Sequence, residues 1–179
     1  VSTVLPLPKG VNIIEAAAIP ETFFTVWTNL FDTGSLKKSE TLLIHGGASG
    51  IGITAALIAK AMGIKFVATV GSEKKRKFLD SIGSELTINY KKDDFEKLIK
   101  DKLSGVDVIL DIVGGEYFQK NINILNKFGR LINIAYLQSP LIKANLLPIM
   151  LKRLIITGST LRVRSDEEKA EIRDCLISN

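Results

Sequence analysis

Leu42-Leu43-Ile44-His45-Gly46-Gly47-Ala48-Ser49-Gly50-Ile51-Gly52 is an apolar run that breaks into glycines and resumes as Ile53-Thr54-Ala55-Ala56-Leu57-Ile58-Ala59. A short apolar run, a glycine-rich turn and a longer Ala/Leu/Ile segment read as strand, tight loop and buried helix. The spacing Gly47-x-x-Gly50-x-Gly52 lets the backbone turn sharply and come close to a ligand, and Ser49 stands inside that turn. It leaves unpaired N–H groups at the helix start, where the positive end of the helix dipole attracts a phosphate. Glycine triplets also occur in ordinary turns, so the residues that follow decide the reading.

Gly63 is placed to end the helix as a left-handed cap. Lys65-Phe66-Val67-Ala68-Thr69-Val70 then reads as a second buried strand, completing a βαβ unit of dinucleotide-binding size. In such units an Asp or Glu about 20 residues past the glycines accepts hydrogen bonds from the ribose, whereas a basic residue suits a 2′-phosphate. Ser72 occupies that place, within Gly71-Ser72-Glu73-Lys74-Lys75-Arg76-Lys77. As the N-cap of the next helix, Ser72 puts four cations into its first turns, where each is disfavoured by about 0.3–1 kcal/mol. A solvated helix face is the plain reading of any one lysine; the cluster as a whole favours a 2′-phosphate, hence NADPH. Glu73 stands against this as a displaced ribose acceptor.

With 179 residues, 46% of them hydrophobic, the chain can bury a full core and is expected to hold one domain, with room for an appendage. It contains no apolar run of the roughly 18 residues that a bilayer span needs, and its first residues lack the pattern of a signal peptide. A single cysteine, Cys175, excludes an internal disulfide and a cysteine zinc cage, which points to a cytoplasmic setting. The net charge of +5 invites a nucleic-acid reading. Outside Lys74 to Lys77, however, basic residues alternate with acidic ones, and no aromatic residues are interleaved for base stacking.

At the N-terminal end, Pro6 and Pro8 keep the chain extended, Ile13 to Ala18 suits a short helix, and Pro20 suits the first turn of a longer one. Phe23, Trp27, Leu30 and Phe31 recur at helical spacing up to Gly34. Beyond the basic helix, Phe78, Leu79 and Ile82 are expected to turn inward, with Gly83 as cap. Leu86 to Tyr90 makes a third strand, and Asp93 or Asp94 caps a helix carrying Phe95, Leu98, Ile99 and Leu103 on one side. Val106 to Val113 is a fourth strand, Glu116 to Leu125 a helix, Arg130 to Ala135 a fifth strand and Leu154 to Thr160 a sixth. Residues 136–153, broken by Pro140 and Pro148, read either as a mobile substrate-side or interface segment or as a plain surface helix. Ser165-x-x-Glu168 is a capping box opening the last helix. This alternation predicts an α/β Rossmann fold: a doubly wound, six-stranded parallel sheet with helices on both faces. Residues 1–36 are expected to be linker helices and 37–179 the NADP-binding domain.

Leu43 to Gly52, Gly71-Ser72, Asn89-Tyr90-Lys91, Asp111-Ile112-Val113-Gly114-Gly115 and the upstream Glu15-Ala16-Ala17-Ala18-Ile19-Pro20-Glu21 together resemble the quinone oxidoreductase branch of the zinc-independent medium-chain dehydrogenases/reductases, in particular its p53-inducible type. The resemblance implies that Ser72, Lys75 and Tyr90 grip the 2′-phosphate and that Gly50, Ile51 and Gly52 face the pyrophosphate. Asp111 to Gly114, with Val113, and Asn133 to Ala135 would lie beside the nicotinamide half. Ser49 stands in place of the middle glycine of the loop, narrowing the space over the phosphates while leaving backbone donors in place, and Ala135 stands where relatives usually have glycine. Zinc-dependent relatives carry a cysteine ligand four residues before the position of Thr25; Glu21 stands there, and a lone carboxylate is a poor zinc site.

The reaction implied is hydride transfer from NADPH to a quinone or activated alkene, with enoyl-thioester reduction or a noncatalytic nucleotide-binding module as alternatives. No proton donor is named: His45 is expected to be a structural hydrogen-bond partner, and Tyr90 lies toward the adenosine end. The family's GroES-like catalytic domain is missing, so the chain is expected to bind NADPH without completing a turnover unaided. Pairing through Ile155 to Ser159 would give a homodimer.

Overall fold

The computed structural model describes residues 2–179. Six strands form one sheet in the order β3-β2-β1-β4-β5-β6: β1 (Thr41–Ile44), β2 (Lys65–Val70), β3 (Leu86–Asn89), β4 (Val106–Asp111), β5 (Leu125–Asn133) and β6 (Ile155–Gly158). All five pairings are parallel. The helices are α1 (Ile13–Ala16), α2 (Ile19–Trp27), α3 (Gly50–Ala61), α4 (Glu73–Ile82), α5 (Phe95–Leu103), α6 (Tyr117–Ile124), α7 (Leu147–Lys152) and α8 (Asp166–Ser178).

Alternation along each strand divides the core in two. Leu42, Ile44, Phe66, Ala68, Leu110 and Ile132 meet α3, α4, Val26 of α2 and Leu30 of the segment that follows it. Leu43, Val67, Ile109 and Leu131 meet α5 and α6 through Phe95, Ile99, Phe118 and Ile122. These apolar runs are the mark of a parallel sheet covered on both faces. The expected Rossmann architecture is therefore present.

Several boundaries differ from expectation. α2 continues as a π-helical turn over Thr28–Thr33, and Phe24, Val26, Thr28 and Asn29 are buried beside Trp27 and Leu30, while Phe23 is only half-buried. The segment is wedged between the sheet and α8, where Ile172 joins Phe24 and Trp27, so it needs an apolar surface on two sides. Phe78 is 46% exposed, because only Leu79 and Ile82 fall on the buried stripe of α4. β4 stops at Asp111, whose Oδ1 accepts from the N–H groups of Val113 (2.7 Å) and Gly114 (3.3 Å) and so turns the chain out of the sheet. β5 begins at Leu125 and shifts register before Arg130. Asp94, not Asp93, caps α5, accepting from Glu96 N–H at 2.9 Å. Residues 136–153 carry one short helix, α7, and a lone bridge between Gly114 and Ser139.

Candidate dinucleotide site

The turn after β1 is compact for steric reasons. Gly46 has φ +69°, and a Cβ there would lie 2.5 Å from Ile112 Cδ1. A Cβ on Gly47 would stand 2.7 Å from Ala68 Cβ, and one on Gly52 would stand 2.4 Å from the Gly46 carbonyl oxygen. Gly50 is different: it is exposed, and a Cβ would meet only Thr22 Cγ2 at 3.6 Å. Gly47 and Gly52 thus serve the turn itself, whereas Gly50 keeps the outside of the helix start open.

Ser49 is the N-cap of α3, and its Oγ accepts from Gly52 N–H at 3.0 Å. One of the donors expected for a phosphate is therefore already engaged. The N–H groups of Gly50 and Ile51 belong to the turn that a helix leaves without internal acceptors.

At the end of β2, Ser72 caps α4, accepting from Lys75 N–H at 3.4 Å. Glu73 and Arg76 form an ion pair, and Arg76 also approaches Asp80 at 4.0 Å. Glu73 is thereby drawn along its own helix, and the hydrogen bond from Arg76 holds its carboxyl below the usual range. Among the described residues, Lys74, Lys75 and Lys77 have no ion-pair partner. Tyr90, 45% exposed, follows β3 and reaches back: a Cβ on Gly71 would be 2.6 Å from its Oη. Tyr90 and Ser72 are thus neighbours at one rim.

The other half of the crevice rests on a buried polar row. The register places Thr69, His45, Asp111 and Asn133 side by side on the α5–α6 face of the sheet. Asn121 of α6, fully buried, donates from Nδ2 to Asp111 Oδ2 at 3.2 Å. Its Oδ1 therefore faces His45 Nε2 at 2.7 Å, which must carry the proton, and His45 Nδ1 accepts from the Thr69 hydroxyl at 3.0 Å. Thr69 Oγ1 in turn accepts from Gly46 N–H at 3.3 Å. Burial lowers the His45 pKa against the pull of Asp111 and Asn121, so the ring is neutral. Phe95 and Tyr117 wall it edge-on, each with its centroid 4.9 Å away. Burial raises the Tyr117 phenol to about 12.

Asp111 lies under the loop it holds and away from the crevice surface. Val113 is half-buried, and Gly114 (φ +67°) is covered by Tyr136 and Ser139, which a Cβ would meet at 2.6 and 2.7 Å. Asn133 is 8% exposed, and its Oδ1 has no partner among the described residues. Ala135 is half-buried beyond the end of β5. Next to it, Glu21, Thr25, Ile134, Ser159, Thr160, Leu161, Arg162 and Lys169 surround a recess of about 410 Å³. Sequence reasoning missed Gly46, Thr69 and Asn121; Gly46 has its place beside Gly47 as a signal, while a single Asn in a helix offers none.

A family model described as zinc-binding dehydrogenase matches residues 50–175. The chain belongs to that family. Mouse quinone oxidoreductase is 31% identical over 170 residues, which are 93% of this chain and 51% of that protein. The structure of Escherichia coli quinone oxidoreductase complexed with NADPH superimposes with a TM-score of 0.83 at 28% identity, covering 96% of this chain and 54% of that one. The CurK enoyl reductase gives 0.85 at 26% identity, covering 99% and 54%. The chain thus spans about half the length of these relatives. Within the zinc-binding dehydrogenase family, these relatives to which it is similar are quinone oxidoreductases and an enoyl reductase. The donor set does not suit zinc: Glu21 shares its recess with Arg162 and Lys169, and among the described residues no group of three His, Cys, Asp or Glu side chains could hold a metal ion. Among the described residues, no helix is long and apolar enough to cross a membrane.

Proposed function

We propose that this chain is the NADPH-binding part of an oxidoreductase that passes hydride from NADPH to a quinone or activated alkene. The observation that carries the reading is the pairing of an open helix start at Gly50-Ile51 with a rim where Tyr90 Oη reaches Gly71 beside Ser72, Lys75 is exposed in the first turn of α4 and Glu73 is engaged by Arg76. Gly50 and Ile51 would hold the pyrophosphate on a turn that Gly47, Ser49 and Gly52 shape, and Ser72, Lys75 and Tyr90 the 2′-phosphate. Val113, Gly114, Asn133 and Ala135 would stand along the nicotinamide side, with Asp111 beneath. The nicotinamide supplies the chemistry; these residues supply orientation and charge.

Titration with NADPH and NADH tests this. NADPH should bind saturably and more tightly, and Lys75→Ala should weaken NADPH by about tenfold or more, as loss of one charged contact does, while leaving NADH nearly unchanged. Equal losses would remove Lys75 from the site, and absent binding or clear NADH preference would count against the site as a whole. Likeness to the CurK enoyl reductase supports a second reading, reduction of an enoyl thioester. Comparing quinone with enoyl-thioester turnover by the full-length protein separates the two.

The pairing surface we propose is β6, the last strand of the sheet, with Ile155 55% exposed. Two copies would join there into one continuous sheet. Light scattering that finds only monomer at high concentration rejects it.

A further inference from the structure

Between the glycine turn and the 112–115 loop runs one unbroken, directional set of hydrogen bonds. It starts at Gly46 N–H on Thr69 Oγ1 (3.3 Å), passes from the Thr69 hydroxyl to His45 Nδ1 (3.0 Å) and from His45 Nε2 to Asn121 Oδ1 (2.7 Å), and ends from Asn121 Nδ2 on Asp111 Oδ2 (3.2 Å). Asp111 closes it by accepting from Val113 and Gly114 N–H. We infer that Asn121 is the positioning residue that ties these two loops together, so that both halves of the crevice keep one register. The inference rests on reading that crevice as a dinucleotide site.

The physical reason lies in what Asn121 replaces. Its neighbours in α6, Phe118, Ile122 and Ile124, are apolar and buried, and an aliphatic side chain at 121 would serve packing alone without desolvating an amide. An amide offers one acceptor and two donors, so it can receive from a neutral histidine and give to a carboxylate at once. Without it, the Asp111 carboxylate loses a donor on the oxygen that also receives Gly114 N–H (3.3 Å). The loop is pinned from outside as well, by Gln138 N–H on Val113 O (2.9 Å) and Gly115 N–H on Ser139 O (2.8 Å). An Asn121 variant should therefore loosen the loop without unfolding it.

The test compares wild type, Asn121→Leu and the double variant His45→Leu/Asn121→Leu, whose added aliphatic carbon refills the core. Amide hydrogen exchange is followed at Val113 and Gly114 against Leu43, and affinity is measured for NADPH and for adenosine 2′,5′-bisphosphate. In both variants exchange at Val113 and Gly114 should quicken by about tenfold with Leu43 unchanged, and NADPH affinity should fall by about tenfold. The bisphosphate, which ends at the adenosine side, should change by less than about twofold. Unchanged exchange at Val113 and Gly114, or equal losses for the two ligands in the double variant, would overturn the inference. A wild-type chain that binds neither ligand removes the dinucleotide reading itself, and the exchange rates alone then decide whether Asn121 links the loops.

Discussion

Arg130 holds both carboxylate oxygens of Glu40, at 2.8 and 2.6 Å, across 90 residues of chain. The same guanidinium donates to the carbonyls of Gly34 (2.8 Å) and Ser35 (3.2 Å), so β5 is fastened to the segment that leads from the π-helical turn into β1. Both side chains are largely buried, 12% and 17% exposed. Glu40→Ala removes the carboxylate partner and leaves the guanidinium on the Gly34 and Ser35 carbonyls alone, with an expected cost of about 1.5–3 kcal/mol. Burial alone would raise the Glu40 carboxyl, but bonds from Arg130 and the Lys37 N–H hold it below its usual range. The stability it contributes is therefore present above the ordinary carboxylate pKa and is lost as pH falls through the lower folded value. Urea unfolding of Glu40→Ala at neutral pH and near pH 3 checks both points: the gap between variant and wild type should shrink in acid.

His45 gives a separate window, because it is the only histidine. Its pKa is lowered in the fold by burial, so the native state resists the proton that the unfolded chain takes up. Stability should be full above about pH 6.5 and fall below it, by up to about 1.4 kcal/mol per pH unit for one proton. In His45→Leu the slope between about pH 6.5 and 5 should flatten, although absolute stability is lower. An equally steep slope in the variant would assign that window to another group.

Lys152 donates from Nζ to the carbonyls of Ile122 (3.3 Å), Asn123 (2.8 Å) and Leu125 (2.8 Å), closing the C-terminal end of α6 where β5 begins. Lys152→Met keeps the aliphatic stem and removes the donor. Thermal unfolding should register about 1–3 kcal/mol of destabilisation, the cost of carbonyls left without a partner.

Gly50 and Gly52 should separate fold from site. Gly52→Ala drives a Cβ to 2.4 Å from the Gly46 carbonyl oxygen and should destabilise the chain severely or prevent folding. Gly50→Ala meets nothing closer than 3.6 Å and should change stability by no more than about 0.5–1 kcal/mol, while the new methyl at the open helix start weakens dinucleotide binding. Melting temperature and NADPH affinity, measured on each, distinguish the two roles.

Much of the architecture was legible because its causes are local. The apolar runs of β1, β2 and β4, Gly63 (φ +67°) and Gly83 (φ +112°) beyond helix ends, and the Ser165–Glu168 capping box depend on residues close in sequence. The Ser72 cap was legible in the same way. Glu73 was ambiguous in sequence because a carboxylate there suits a ribose as well as a neighbouring cation, and only the side-chain geometry shows it paired with Arg76. The register shift before Arg130 and the π-helical turn after Trp27 respond to neighbouring elements and left no periodic trace.

By itself the sequence determined the order of strands and helices, the glycine turn and the basic rim, since backbone conformation, capping and alternation act over a few residues. Only the tertiary structure decided which groups meet at the base of the crevice. His45 and Asn121 lie 76 positions apart, and no spacing rule joins them. They come together because parallel pairing aligns the ends of β2, β1 and β4 on one face, and because α6 crosses that face at the row where buried polar groups require partners.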